Sequence, residues 1–266
     1  MSARLYDDLD RLYREIWGTS LHHGLWLDTR ETALQAKENL LTAALSLLKP
    51  SGRIADIGCG YGVLAHRIIN ESPGKILACT NSKVQARQIV PAPRLSILSG
   101  DWLDQKLEAE SLDGAIAIES LSHFPSFPAF LKKTASALKP GARLVIADWF
   151  SETGSLPILR HLAHSGDLPP WRSLDSLIES AKGAGFTLLV HQDLSQKVAP
   201  TWTHLLFQSL LLPLRKPRSL PILFRQICSR PALLWTFPLL RLTYKTRDLS
   251  YHLISLQKVV SPRAPT

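Results

Sequence analysis

Apolar positions along this chain follow two rhythms, and the switches between them mark its elements. Near the start Leu5, Leu9, Leu12 and Ile16 recur every three or four residues, with Tyr6, Tyr13 and Trp17 alongside, which is the stripe of an amphipathic helix. A turn holding Gly18, His22 and His23 runs to Asp28 and leads into a second helix over 30–48, closed by Lys49-Pro50-Ser51-Gly52. From there short apolar runs alternate with helical stretches. The runs 53–57, 75–80, 94–98, 112–118 and 142–147 predict strands. Helices are expected over 63–69, 84–89 and 128–138, the last with Ser126 as its cap. A helix over 174–182 and a strand over 186–191 follow, and a final strand is expected over 251–257. The stretch of about 60 Pro-punctuated residues before that last strand is too long for a turn and predicts a lid.

Seven buried strands alternating with helices imply an α/β fold, a seven-stranded doubly wound, Rossmann-like parallel sheet. A single domain is expected over 1–266, with a helical cap (1–48), a core (49–192), a helical lid (193–250) and the last strand and tail (251–266). Hydrophobic residues make up 45% and charged residues 20%, which excludes general disorder. Cys59, Cys79 and Cys228 are too few and scattered for a disulfide framework or a zinc site, so a reducing, cytoplasmic setting is expected and no metal. The N-terminus has no basic flank followed by an apolar stretch, so no signal peptide is expected.

Charge changes the picture only once it is located. From Thr201 to the end the chain holds ten Lys or Arg and one acid, Asp248, so that part alone carries the whole net charge of +9. Arg215, Lys216, Arg218, Arg225, Arg230, Arg241, Lys245 and Arg247 interleave with apolar runs such as 210–212 and 232–235. None of these runs reaches the ~20 residues that span a bilayer. Two readings stand: the solvated face of an ordinary lid, or a surface over 205–247 that lies on anionic lipid on the cytoplasmic face of a membrane. No zinc-finger, RNP or KH motif accompanies the charge, and no nucleic-acid partner is expected.

The segment that carries chemistry is Ile54-Ala55-Asp56-Ile57-Gly58-Cys59-Gly60-Tyr61-Gly62, a strand running into a glycine-rich loop. Glycines permit a tight turn and the close approach of a ligand to backbone. A Gly-x-Gly turn also suits dinucleotides. Here, however, an acid sits two residues before the first glycine, where a carboxylate can meet an ammonium group, and the third glycine comes one residue too early for the dinucleotide fingerprint. The loop resembles motif I of class I S-adenosylmethionine-dependent methyltransferases. Ser99-Gly100-Asp101-Trp102, the run 111–123 and the run 138–148 fall where that resemblance places the later motifs. Tyr13 to Gly18, Leu21-His22-His23-Gly24, Ala117-Ile118-Glu119-Ser120, Leu168-Pro169-Pro170-Trp171 and the run 193–200 narrow the likeness to the γ-tocopherol methyltransferase-like family.

The resemblance implies S-adenosylmethionine as cofactor, held by Asp56, Gly58, Cys59, Gly60, Gly62, Thr80, Asn81, Gln85, Asp101, Trp102, Glu119 and Ser120. Thr80, Ser82 and Gln85 match the family's Thr-x-Ser-x-x-Gln pattern, whereas Asn81 replaces an apolar residue. His123, after the fourth strand, is the candidate general base, and Asp148 is the candidate to orient it or to meet an acceptor hydroxyl. Trp17, His22, His23, Trp149 and Trp171 are the expected lid and substrate residues. Trp26, Trp202 and Trp235 also fall in caps or loops, a distribution that suits a small, largely apolar acceptor such as a prenylated quinol or phenol or a sterol, methylated on C, O or N. The alternatives are a non-catalytic cofactor-binding module that docks on a membrane or partner, and an NAD(P)-dependent oxidoreductase.

Overall fold

A computed structural model describes residues 10, 14–151, 172–217, 221, 228 and 233–260. The chain order is α1 (Ala33–Leu48), β1 (Arg53–Ile57), α2 (Val63–Glu71), β2 (Lys75–Thr80), α3 (Lys83–Gln88), β3 (Leu95–Ser99), β4 (Leu112–Ile118), α4 (Phe127–Ala137), β5 (Leu138–Phe150), α5 (Leu174–Gly183), β6 (Phe186–Asp193), α6 (Ser195–Val198), α7 (Pro200–Arg215), α8 (Leu233–Thr246) and β7 (Ser250–Lys258). The seven strands form one sheet in the order β3-β2-β1-β4-β5-β7-β6. β1 to β5 run parallel, while β7 is antiparallel to both β5 and β6. The sheet is therefore mixed where the alternation of elements predicts a parallel one. The last strand follows the helices α6, α7 and α8 and inserts antiparallel between β5 and β6.

Side chains alternate between two apolar layers, as period-two burial on both faces requires. Ile54, Ile116, Val145 and Ala147 pack with α1, α2 and the lid helices on one face. Ala55, Ala115, Ala117, Leu144 and Ile146 pack with α4 and α5 on the other. Element boundaries follow local chemistry. α1 begins at Ala33 and not at residue 30, because Thr32 and Gln35 form a reciprocal capping box. Ser126 caps α4 through the Ala129 N–H at 3.2 Å. β5 begins at Leu138, four residues before its expected start: the chain stays extended through Lys139 and Pro140, and the register with β4 shifts between Leu112 and Gly114.

Candidate active site

The carboxyl ends of β1, β2 and β4 open onto one pocket, at the point where the strand order reverses. Its walls include Asp56, Gly58, Cys59, Gly60, Thr80, Asn81, Gln85, Glu119, Ser120 and His123, with Thr19 to His22 of the N-terminal segment closing over them. Gly62, Asp101 and Trp102 stand apart from that lining. Gly62 has φ +78° at the start of α2 and backs onto Ile89. Asp101, exposed at the end of β3, accepts the Leu103 N–H at 2.9 Å. The Trp102 indole is core, donating to Thr134 Oγ1 at 3.1 Å.

The turn after β1 is built for close approach. Gly58 and Gly60 have φ of +81° and +54°, which a side chain resists. A Cβ on Gly58 would stand 2.4 Å from Ser120 Cβ, so the two loops can touch only through glycine, whereas a Cβ on Gly60 would meet nothing within 4 Å. Backbone there is bare toward the pocket. Burial drives the Cys59 thiol far above its ordinary value, leaving a small packing residue with no nucleophilic character. At the end of β2, Thr80 Oγ1 donates to Gln85 Oε1 at 2.8 Å and Ser82 Oγ accepts the Gln85 N–H at 3.1 Å. The Thr-x-Ser-x-x-Gln pattern is thus a turn that satisfies itself and presents exposed Asn81 to the pocket.

Among the described residues, Asp56 Oδ2 and His22 Nε2 in this lining are buried and have no partner. Burial pushes the Asp56 carboxyl up to about 7, against a backbone hydrogen bond from Ala65. Unpaired buried polar atoms are costly in a finished core. Together with the bare backbone at Gly60, they fit a ligand that carries a cation and hydrogen-bonding groups.

Glu119 is the hub between this pocket and the lid. It holds a positive φ of +50°, unusual without glycine, and strain of that kind concentrates at functional sites. Its Oε1 accepts the His23 N–H at 2.6 Å, His23 Nδ1 at 2.9 Å and the Tyr251 hydroxyl at 3.0 Å. Burial opposes ionisation, yet the charge and hydrogen bonds of His23, with His22 behind it, hold the Glu119 carboxyl below its ordinary value. His23 is itself fully buried inside an aromatic box. Its ring lies 4.8 Å from Trp202, 5.0 Å from Tyr251, 5.5 Å from Trp149, 5.9 Å from Tyr244 and 6.5 Å from Trp17, centroid to centroid. Trp202 also stacks on Trp149 and Phe237. Lys37, buried on α1, pins the N-terminal segment by donating to the carbonyls of Trp17 and Ser20.

His123 lines the pocket, and burial lowers its imidazole to about 4, so it is neutral at pH 7. Asp148 does not face the pocket. Its oxygens accept the Leu121 N–H at 2.8 Å and the Trp149 N–H at 2.9 Å, which fixes the loop two residues before His123. Burial raises the Asp148 carboxyl to about 7. Arg172 holds the same loop through the carbonyls of Leu121 and Phe124. Trp171 lies outside the described residues. Tyr251, Tyr244 and Lys37 escape a reading of the sequence. Tyr251 opens the last apolar strand and Tyr244 sits among Thr243, Lys245 and Thr246, so neither stands out, and only Lys37, at a position of α1 flanked by Ala36, Leu40 and Leu41, breaks a pattern visibly.

A family model described as a methyltransferase domain matches residues 28–192. The chain belongs to the class I S-adenosylmethionine-dependent methyltransferases. An O-methyltransferase of Pyrenophora dematioidea is 33% identical over 211 residues, covering 74% of this chain and 79% of that one. A probable tocopherol O-methyltransferase of Oryza sativa subsp. japonica is 27% identical over 75% of this chain, which spans 63% of that relative's length. Among solved structures, the mycolic acid cyclopropane synthase CmaA1 complexed with SAH and CTAB superposes with a TM-score of 0.82 at 18% identity, covering 95% of each chain. S-adenosylmethionine is the cofactor of this methyltransferase, and the dinucleotide alternative falls. Asp56, Gly58, Gly60, Asn81 and Glu119, expected from the sequence to hold it, all line the pocket.

Proposed function

We propose that this methyltransferase transfers the methyl group to a small, largely apolar acceptor of the prenylated quinol, phenol or sterol class. The observation that carries the reading is the aromatic box of Trp17, Trp149, Trp202, Tyr244 and Tyr251, joined to the cofactor pocket through the single carboxylate of Glu119. Aromatic walls with few polar groups select apolar ligands and orient them by those few groups. Relatives named for tocopherol and sterol methylation support the same class.

When bound, S-adenosylmethionine supplies a methyl group already activated on a sulfonium. The chain's own work is to align the acceptor and exclude water, an effect worth roughly 7–11 kcal/mol of barrier. The N-terminal segment, latched by Lys37, closes the pocket. Asp148 and Arg172 hold the loop that carries His123, whose neutral imidazole takes a proton from an O–H or N–H acceptor. A second reading of the proton acceptor has its own observation. His23 Nδ1 faces the Glu119 carboxylate at 2.9 Å, and His23 Nε2 lies 3.4 Å from the Tyr244 hydroxyl. The free thiols of Cys59, Cys79 and Cys228 suit a reducing, cytoplasmic setting.

Incubation of the purified protein with methyl-labelled cofactor and a panel of prenylated quinols, sterols and simple phenols tests the acceptor class. Label is expected in at least one prenylated or sterol member. Transfer to none of them by a protein that binds the cofactor overturns it.

A further inference from the structure

Helix α7 is apolar on two opposite faces, and the fold uses one of them. At about 100° per residue, Thr201, Trp202, Leu205 and Leu212 share the face that is buried against the rest of the molecule. Phe207, Leu210, Leu211 and Leu214, spaced i, i+3, i+4 and i+7, share the other, at 57%, 64%, 37% and 79% exposure. Single exposed apolar residues are ordinary, but a helix-long stripe of large ones marks a surface that meets something. α8, packed against α7, leaves Leu242 exposed at 52%. The carboxyl ends of both helices are basic and exposed: Arg215 and Lys216 at the end of α7, Lys245 and Arg247 at the end of α8.

We propose that this face docks the protein on an anionic phospholipid bilayer, with the stripe of α7 entering the headgroup boundary and the basic helix ends on the phosphates. Charge complementarity selects that occupant. The chain from Thr201 onward holds ten Lys or Arg against Asp248 alone, so a second copy would bring like charge to like. A polar or nucleic-acid partner answers the charges but leaves Phe207, Leu210 and Leu214 without an apolar counterpart. Among the described residues no helix is long and apolar enough to cross a membrane, so the mode is lying on the surface. The docking goes beyond the acceptor assignment and stands or falls separately from it.

Flotation of the full chain with phosphatidylcholine vesicles, with and without about one-third phosphatidylserine, tests it. The wild type is expected to float with the anionic vesicles, at least tenfold more than with neutral ones, and to be released as salt rises from about 0.1 M to about 0.5 M. Leu210→Ser with Leu214→Ser, and separately Arg215→Glu with Lys245→Glu, should each reduce flotation at least tenfold. Calorimetric cofactor binding should stay unchanged in both. Wild-type protein that stays with the soluble fraction, or apolar variants that float as well as wild type, overturn the proposal. So does a stable dimer, seen by light scattering, that the serine variants dissociate. Intact flotation by a protein that binds no cofactor would leave the docking in place and remove the methyl-transfer reading instead.

Discussion

Asp56 is expected to make cofactor binding a proton-linked event. Its carboxyl is raised from an ordinary 3.8 to about 7, mainly by burial, and among the described residues Oδ2 has no partner. Because the folded value is the higher one, protonation favours the fold. That stability is full below pH 3.8 and is lost as pH climbs toward 7, a swing of roughly 4 kcal/mol as an upper bound. A cationic ligand group that pairs with Asp56 needs the ionised form, so binding must expel the proton. Affinity for S-adenosylmethionine should then rise nearly tenfold per pH unit below about pH 7 and level off above pH 8. Calorimetry in two buffers of different ionisation enthalpy reads the proton directly, about half a proton released at pH 7 and close to none at pH 8.5. Asp56→Asn should weaken binding by about 10²-fold at pH 8, flatten the pH dependence, and make the ligand-free protein more stable there. A wild-type affinity that is level between pH 6 and pH 8, with no proton released, would refute the reasoning.

Three other perturbations have opposite or separate signatures. His123→Ala should lower the single-turnover rate about 10²–10⁴-fold while cofactor affinity holds; an unchanged rate moves the proton to His23 and Glu119. Because His123 is depressed to about 4, no loss of activity from its protonation is expected between pH 5 and 7. Glu119→Ala removes the acceptor of three hydrogen bonds and strands His23, so thermal or urea unfolding should show a loss of roughly 3–5 kcal/mol; a loss below about 1 kcal/mol contradicts its part as the hub. His252 contacts His191 at 2.9 Å and is lowered by burial from 6.5 to about 4. Its contribution is present above pH 6.5 and is lost as pH falls toward 4, so His252→Phe should flatten that part of a stability-versus-pH curve.

The sheet and the cofactor turn were legible because each is written locally. Period-two burial gives the strands, and a glycine turn cannot be built from other residues where a Cβ would lie 2.4 Å from Ser120. What sequence order hides is contact made across it. Glu119 meets His23 from 96 positions away and Tyr251 from 132, and nothing local marks either tyrosine of the box. The antiparallel entry of β7 is equally silent, since strand direction leaves no mark on a run of buried residues. Asp148 shows a different loss. An acid at a strand end beside a loop histidine suggests an orienting pair, but the backbone N–H groups of Leu121 and Trp149 are nearer partners, and a buried carboxylate takes them first.

Glu119 binds two events into one. The same carboxylate lines the cofactor pocket and, through His23, holds the N-terminal segment inside the aromatic box. An acceptor that enters the box has to share it with the fully buried His23 ring or move that ring aside, and moving it breaks the ring's contacts with Glu119 and Tyr244. Lys37 adds to that cost, because its ammonium holds the carbonyls of Trp17 and Ser20 on the same segment. The lid therefore cannot open for the acceptor without loosening the wall beside the methyl donor. Ordered binding, with the cofactor seated before the lid closes on an acceptor, is the expected outcome, and random-order product-inhibition kinetics would refute it.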